Sequence, residues 1–192
     1  MKKRRPVRRK KVAPLLNTLE EALSIDLQVD DAFLEMAEYG PWTMVLVDKI
    51  AKAIEVQNEE NERFVFLTLR GFLEHDDAAK WVEVDHGAIP FLMKGADCMV
   101  AGVHGADASI NVGDLVWIRD MKHKRPLAIG WATMNAEDLT SLTKERASKP
   151  YIGLAMSFGK WNSNRGLFHL THKYHLAIER VCVSLNSLLY SS

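Results

Sequence analysis

Apolar and polar residues alternate in short runs along most of the chain, the period-two pattern of half-buried strands. Within the first eighty residues this pattern predicts strands over 32–39, 43–48 and 53–57, with a turn at Gly40 and Pro41 between the first two. An amphipathic helix is predicted ahead of them from apolar residues at helical spacing: Leu15, Leu16, Leu19, Ala22 and Leu23. Residues 64–73 predict a strand that runs into a helix, and the polar segment 75–80 marks a domain junction.

The second part of the chain carries a denser β pattern. Strands are predicted over 81–84, 98–103, 115–119, 127–134 and 151–156, with a charged turn over 120–125. A helix over 87–93 follows Asp85, a good N-cap residue, with Pro90 in its first turn and Gly95 as its C-cap. Asn135 is predicted to cap a last short helix over 136–142. The order of elements indicates an α+β protein.

Composition indicates a folded protein in a reducing compartment. The chain has 192 residues, of which 47% are hydrophobic, and this length has room for one large or two small domains. No apolar run reaches the roughly 18 residues of a membrane-spanning helix. The N-terminus lacks the apolar core of a signal peptide, because Glu20 and Glu21 interrupt its first apolar run. The two cysteines form no metal or disulfide motif, so we expect a cytoplasmic protein.

The net charge of zero hides two opposed regions. Residues 1–11 hold eight Lys or Arg and no acid, whereas the rest of the chain has 17 basic and 25 acidic residues. We therefore predict a basic arm over 1–12 in front of an acidic body. Such a run usually stays mobile; it can add phosphate affinity, or it can serve only as a solvated tail.

Three spaced segments resemble the PUA domain, a small RNA-binding β-barrel named for pseudouridine synthases and archaeosine transglycosylases. They are VDHGAIPFLMKGADCMVAGV, INVGDLVWIRD and KRPLAIGWATMNAEDL, in the family's order. The upstream segment RFVFLTLRGFLE is similar to archaeal proteins with a pre-PUA domain, which are relatives of the malignant-T-cell-amplified-sequence family. The resemblance covers roughly residues 12–161 and implies a pre-PUA domain over 13–79, a PUA pseudo-β-barrel over 80–161 and a separate helical tail over 162–192.

The resemblance also implies where RNA would lie, along the first PUA helix and the strand after it. The residues carried over are Lys94, Gly95, Ala96, Met99, Ala101, Gly102 and Val103. Lys94 is the natural phosphate ligand of this set, and the small residues let a sugar or base edge come near. Gly95 and Gly102 also have a purely structural interpretation, as a helix cap and as a close approach of two backbone segments.

The charged turn supplies a second candidate RNA contact. Its residues are Arg119, Lys122, His123, Lys124 and Arg125, in an otherwise acidic body. Such a cluster can contact a phosphate backbone, but it also fits a polar turn kept soluble by its charge. Trp117 and Trp131 alternate with apolar neighbours, which favours packing on the strands over base stacking.

The motifs of common enzymes and metal sites are missing. Asp85 and His86 are adjacent, but no nucleophile motif or phosphate-binding glycine loop accompanies them, so we expect neither catalysis nor a cofactor. His169, His172 and His175 share a helical face, yet no further ligands stand at zinc spacing, so we expect no metal site.

The preferred interpretation is an RNA-binding protein that contacts tRNA or small-subunit rRNA as a translation initiation or recycling accessory. Its partners would then include the small ribosomal subunit or a protein like density-regulated protein. One alternative is an accessory subunit that presents tRNA to a modification enzyme. Another is a protein-interaction adaptor that uses the apolar stripe of the tail and binds no RNA. The pattern leaves the oligomeric state open.

Overall fold

The computed structural model describes residues 2–39, 42–57, 61–93, 96–139 and 150–157, and the chain divides into two compact units between Lys80 and Trp81. The mixture of sheets and short helices is the predicted α+β fold class. No helix in these ranges is long and apolar enough to cross a membrane.

The first unit is an antiparallel sheet covered by a helix. Its elements are β1 (Lys2–Pro6), α1 (Arg9–Leu23), β2 (Leu34–Tyr39), β3 (Trp42–Val47), β4 (Ile50–Gln57), β5 (Arg63–Leu67) and α2 (Leu69–Phe72). The strands follow one another across the sheet in chain order, so β1 forms one edge of the sheet that the structure describes. Helix α1 buries one apolar stripe, formed by Val12, Leu16, Leu19 and Leu23.

The second unit is a mixed sheet. Its elements are β6 (Trp81–Val84), α3 (Ile89–Met93), β7 (Cys98–Met99), β8 (Val103–Ala106), β9 (Leu115–Asp120), β10 (Pro126–Ala132) and β11 (Pro150–Ser157), with 3-10 turns at Val100–Gly102 and Ala136–Leu139. The strand order is β7-β11-β10-β9-β6-β8, and β6 runs parallel to β9 while the other described pairs are antiparallel. Strand β9 lies in the centre, where Val116, Trp117 and Ile118 are fully buried.

The basic segment differs from its prediction. Instead of a mobile arm over 1–12, residues Lys2–Pro6 form strand β1, and α1 begins at Arg9 inside the basic run. The strand is fixed because it pairs with β2 and because the Val7 N–H donates to the carbonyl of Leu34 at 2.9 Å. The predicted tail over 162–192 lies outside the described residues.

Two other predicted elements are also corrected. The single strand over 98–103 is divided by the 3-10 turn, so that β7 has two residues and β8 continues to Ala106. The α-helix over 136–142 is a 3-10 turn that spans Ala136–Leu139 in the part of the chain that the structure describes. The side chain of Asn135 is engaged elsewhere, because its Oδ1 accepts from the Val112 N–H at 2.9 Å.

Candidate nucleic-acid interface

The segment from Asp85 to Met93 presents one aromatic ring to solvent. The Asp85 carboxylate accepts from the Ala88 N–H at 2.9 Å and fixes the turn that leads into α3. Pro90 occupies the start of the helix, where its missing N–H is tolerated. Leu92 is buried in the core, whereas Phe91 beside it is 66% exposed. The helix therefore displays a large apolar side chain that does not contribute to the core.

The Asp85 carboxylate is held ionised. The N–H of Ala88, and after it the His104 ring 3.4 Å from Oδ2, lower the pKa of Asp85 below its ordinary value of 3.8, and together they outweigh the opposing effect of burial. His104 belongs to β8, so this contact joins the start of α3 to that strand. No group of three His, Cys, Asp or Glu side chains that could hold a metal ion occurs among the described residues.

The segment that follows α3 has one buried and one exposed side. Cys98 and Val100 point into the core, while Met99 and Ala101 are exposed, and Ala96, Gly102 and Val103 are half-buried. The Ala96 N–H donates to the Phe91 carbonyl at 3.1 Å, so this segment stays next to α3. Lys94 and Gly95 lie outside the described residues.

Gly102 faces a side chain at its Cα and contacts a second backbone segment through its carbonyl. A Cβ added there would meet the Cβ of Ala88 at 3.4 Å, an ordinary van der Waals contact. The Gly102 carbonyl accepts from the Asp85 N–H at 3.3 Å, which joins this turn to the start of α3. Two backbone segments therefore come close at Gly102, as predicted, while the Cβ position itself has space for a small side chain.

The charged turn between β9 and β10 is held by backbone hydrogen bonds. Asp120 Oδ2 accepts from the His123 N–H at 2.6 Å, and the Asp120 carbonyl accepts from the Lys124 N–H at 2.9 Å. Lys124 adopts a left-handed backbone conformation with φ of 56°. Four side chains of the turn are exposed: the apolar Met121 and the basic or histidine residues Lys122, His123 and Arg125.

Glu83 gathers the other two cations of the turn region. Its Oε1 accepts from Arg119 Nε at 3.0 Å and also pairs with the ammonium of Lys124. The Arg119 side chain is only 10% exposed, and its Cζ lies 4.1 Å from the ring centroid of Trp81. Arg119 and Lys124 are thus tied to the sheet, and Arg119 in particular anchors the turn rather than reaching into solvent.

The environment of Glu83 favours its ionised form. Burial raises the pKa of the carboxyl, but the hydrogen bonds from Lys124 and Arg119 and their positive charges outweigh it, so the pKa lies below the ordinary value of 4.5. The parallel register of β6 and β9 sets Glu83 opposite Arg119, which makes the pair possible.

Three residues that sequence reasoning missed shape these surfaces: Glu83, Trp81 and Phe91. The sequence did carry a signal for Glu83, since it is the one charged residue of the apolar strand β6. Nothing in the sequence identified its partners, because Arg119 and Lys124 are 36 and 41 residues away along the chain.

The second unit is similar to a known domain family. The family model of the PUA domain matches residues 80–152. The uncharacterized protein MJ1432 of Methanocaldococcus jannaschii is 34% identical over 122 residues, which cover 62% of this chain and 72% of that protein.

Solved archaeal structures share the fold. A hypothetical protein, PH0734.1 of Pyrococcus horikoshii, is 24% identical with a TM-score of 0.66, over 80% of this chain and 93% of that chain. The PUA-domain protein APE0525 of Aeropyrum pernix, solved as a tartrate complex, is 23% identical with a TM-score of 0.66, over 82% and 87% of the two chains. From the domain match and the archaeal relative together, we conclude that the chain belongs to the PUA-domain protein family, whose domains generally bind RNA.

Proposed function

We propose that this protein binds tRNA or small-subunit rRNA as a translation initiation or recycling accessory, and that it recognises shape and phosphates without bond chemistry. The observation that carries the proposal is that the charged turn between β9 and β10 of the PUA unit is held in place by ion pairs and hydrogen bonds. Glu83 holds Arg119 and Lys124, while Lys122 and His123 face solvent on a turn that Asp120 fixes. A fixed cationic turn loses little conformational freedom when it meets a phosphate backbone, which favours binding.

The second proposed contact lies along α3 and the segment after it. Phe91 and Met99 expose apolar surface next to the small residue Ala101, and an exposed ring can stack on an unpaired base. Lys94 follows α3 in the chain and is the proposed phosphate ligand of this face. A face with exposed apolar surface, followed in the chain by a cation, suits RNA whose bases are splayed out.

The assignment to translation rests on the resemblance to the malignant-T-cell-amplified-sequence family, carried by RFVFLTLRGFLE and the turn that follows β9. By that resemblance we propose a cytoplasmic protein that works at the small ribosomal subunit, with or without a partner like density-regulated protein. Sedimentation of cell extract tests this assignment. Migration with small subunits supports it, whereas stable association with an RNA-modifying enzyme instead would replace it by the role of a tRNA-presenting subunit.

RNA binding itself is tested by the salt dependence of affinity for a tRNA transcript and a small-subunit rRNA fragment. The test variant is Lys94→Gln/Lys122→Gln, and the matched control is Lys49→Gln/Arg63→Gln, which removes the same charge from the first unit. Each lost phosphate contact lowers the slope of log affinity against log salt by about 0.7 for a single strand, so the test variant should lose about 1.4. Equal slopes for test and control variants would exclude the proposed contacts.

A further inference from the structure

The basic segment at the start of the chain is an ordered surface of the first unit. We call it the basic edge and define it by eight cations: Lys2, Lys3, Arg4, Arg5, Arg8, Arg9, Lys10 and Lys11. The first four belong to β1, at the edge of the described sheet, and the last three begin α1. Strand pairing with β2 and the buried stripe of α1 hold both parts in place.

Three of these cations attach the segment to acids of the same unit. Lys3 pairs with Glu38 at 3.0 Å, Arg4 Nε donates to Glu35 at 2.8 Å, and Arg9 pairs with Asp30. Glu35 is largely buried, and the hydrogen bond from Arg4 in particular lowers the pKa of its carboxyl. These pairs account for the position of the segment, but not for its remaining charge.

Five cations of the basic edge have no acidic partner within the described part of the chain. They are Lys2, Arg5, Arg8, Lys10 and Lys11, and all five are exposed. They follow one another along some ten residues, while the chain beyond residue 11 has 17 basic and 25 acidic residues. An anionic partner would therefore be drawn to this edge and repelled by much of the remaining surface.

Protection of a sheet edge does not explain the charge. Charged side chains on an edge strand prevent pairing with another chain, and Lys2 and Arg5 are enough for that purpose. The charge continues past the strand into Arg8, Lys10 and Lys11, where there is no strand edge to protect. Cations at the start of a helix are also unfavourable, because the helix dipole is positive there. A bound anion would relieve both this repulsion and the repulsion among the cations themselves.

We propose that the basic edge is a second RNA-binding surface, which contacts the phosphate backbone independently of the PUA unit. The inference rests on the proposed function, because the RNA that the PUA unit binds supplies the polyanion. Recognition here is independent of sequence, since a row of Lys and Arg on exposed elements reads charge and not base edges. With one phosphate for each unpaired cation, the basic edge would add at most about 3.5 to the salt slope for single-stranded RNA.

The test uses the full chain and measures binding of a tRNA transcript and of a 30-nucleotide oligouridylate between about 0.1 and 1 M salt. Two test variants are compared, Arg5→Gln/Arg8→Gln and Lys10→Gln/Lys11→Gln, because the second leaves β1 untouched if the first weakens the fold. The control is Lys49→Gln/Arg63→Gln, which also removes two cations from the first unit. Thermal melting of each variant checks that the unit stays folded.

Each test variant should lower the salt slope by about 1.4, so that its affinity deficit relative to the wild type is about 25-fold larger at 0.1 M than at 1 M salt, for both RNAs alike. The control should bind like the wild type. The basic edge is rejected, and the PUA proposal survives, if only Lys94→Gln/Lys122→Gln weakens binding. Both proposals fail if the wild type forms no salt-dependent RNA complex. Binding of phosphatidylserine vesicles that RNA does not compete away would also overturn an RNA surface.

Discussion

Substitution of Glu83 by Gln removes one charge from the middle of a buried ion-pair cluster and keeps the shape of the side chain. In the wild type this carboxylate accepts from Arg119 and pairs with Lys124. In the variant the guanidinium of Arg119 keeps its place over the Trp81 and Trp117 rings, with Cζ 4.1 and 5.4 Å from their centroids, but it loses the negative charge of Glu83. The neutral amide can still accept one hydrogen bond, so part of the contact survives.

The expected cost follows from the burial of the two partners. Loss of one member of a buried ion pair costs about 3–5 kcal/mol, because the remaining charge is left without compensation. The retained amide reduces this figure, and the Lys124 side chain, 43% exposed, adds less than about 1 kcal/mol. We therefore expect Glu83→Gln to lower the free energy of unfolding of the second unit by about 2–4 kcal/mol.

The matched control is Glu55→Gln, because Glu55 pairs with Arg63 at 3.2 Å through a side chain that is 70% exposed. An exposed pair of this kind contributes about 0–1 kcal/mol. Urea unfolding followed by tryptophan fluorescence measures both variants, since Trp81 and Trp117 lie beside the Glu83 cluster and Trp42 lies on the strand that pairs with the strand of Glu55. Equal losses for the two variants, or a loss below about 0.5 kcal/mol for Glu83→Gln, would refute the account of the cluster.

The same pair predicts a pH dependence. The folded state lowers the pKa of Glu83, so the carboxylate stabilises the fold above its ordinary pKa of 4.5, and this contribution disappears as pH falls through the lower pKa of the folded state. The stability difference between wild type and Glu83→Gln should therefore be full near pH 7 and shrink below pH 4.5. A stability difference that stays constant as pH falls well below 4.5 would contradict the lowered pKa of Glu83.

Two further predictions concern packing and reactivity. Gly71→Ala should destabilise the first unit by about 1–3 kcal/mol in urea unfolding, because the added Cβ would lie 2.6 Å from the Lys52 carbonyl oxygen. The control Gly102→Ala should be close to neutral, because its added Cβ would lie 3.4 Å from the nearest atom, the Cβ of Ala88. In a Cys182→Ser variant, Cys98 should react slowly with a disulfide reagent at pH 8 until urea unfolds the protein, because burial raises its pKa to about 12. Rapid labelling of the folded variant would contradict that burial.

The strands were the most predictable part of the fold. Alternation predicted β2, β3, β6, β9 and β10 within a few residues, because one side of each strand packs on a core. The glycine-containing segments around α3 and β9 predicted the domain family. The 3-10 turn that divides 98–103 was not predictable from alternation. Cys98 and Val100 would point inward in one continuous strand, and they also point inward in the observed β7 and 3-10 turn, so both structures give the same pattern.

The misjudged charges share one physical cause, which is that ion pairs depend on strand register. A run of eight cations predicts a mobile arm unless acidic residues lie opposite it on a paired strand. Here those acids are Glu35 and Glu38, which are more than thirty residues away from their partners in sequence. The sequence alone assigns Arg119 to a cationic turn. In the structure, the parallel pairing of β6 and β9 sets Glu83 opposite Arg119. Local sequence shows how many charges a segment carries, but not which of them are already neutralised.

RNA binding by the PUA unit is the central claim, and ultraviolet crosslinking in cell extract tests it most directly. The full chain is crosslinked, the bound RNA is sequenced, and the modified peptides are located by mass spectrometry. We predict tRNA or small-subunit rRNA, with adducts in peptides that contain Phe91 to Val103 or Met121 to Arg125, and a lower yield for Lys94→Gln/Lys122→Gln. Absence of any RNA adduct, or adducts that are equally abundant in that variant, would contradict the claim.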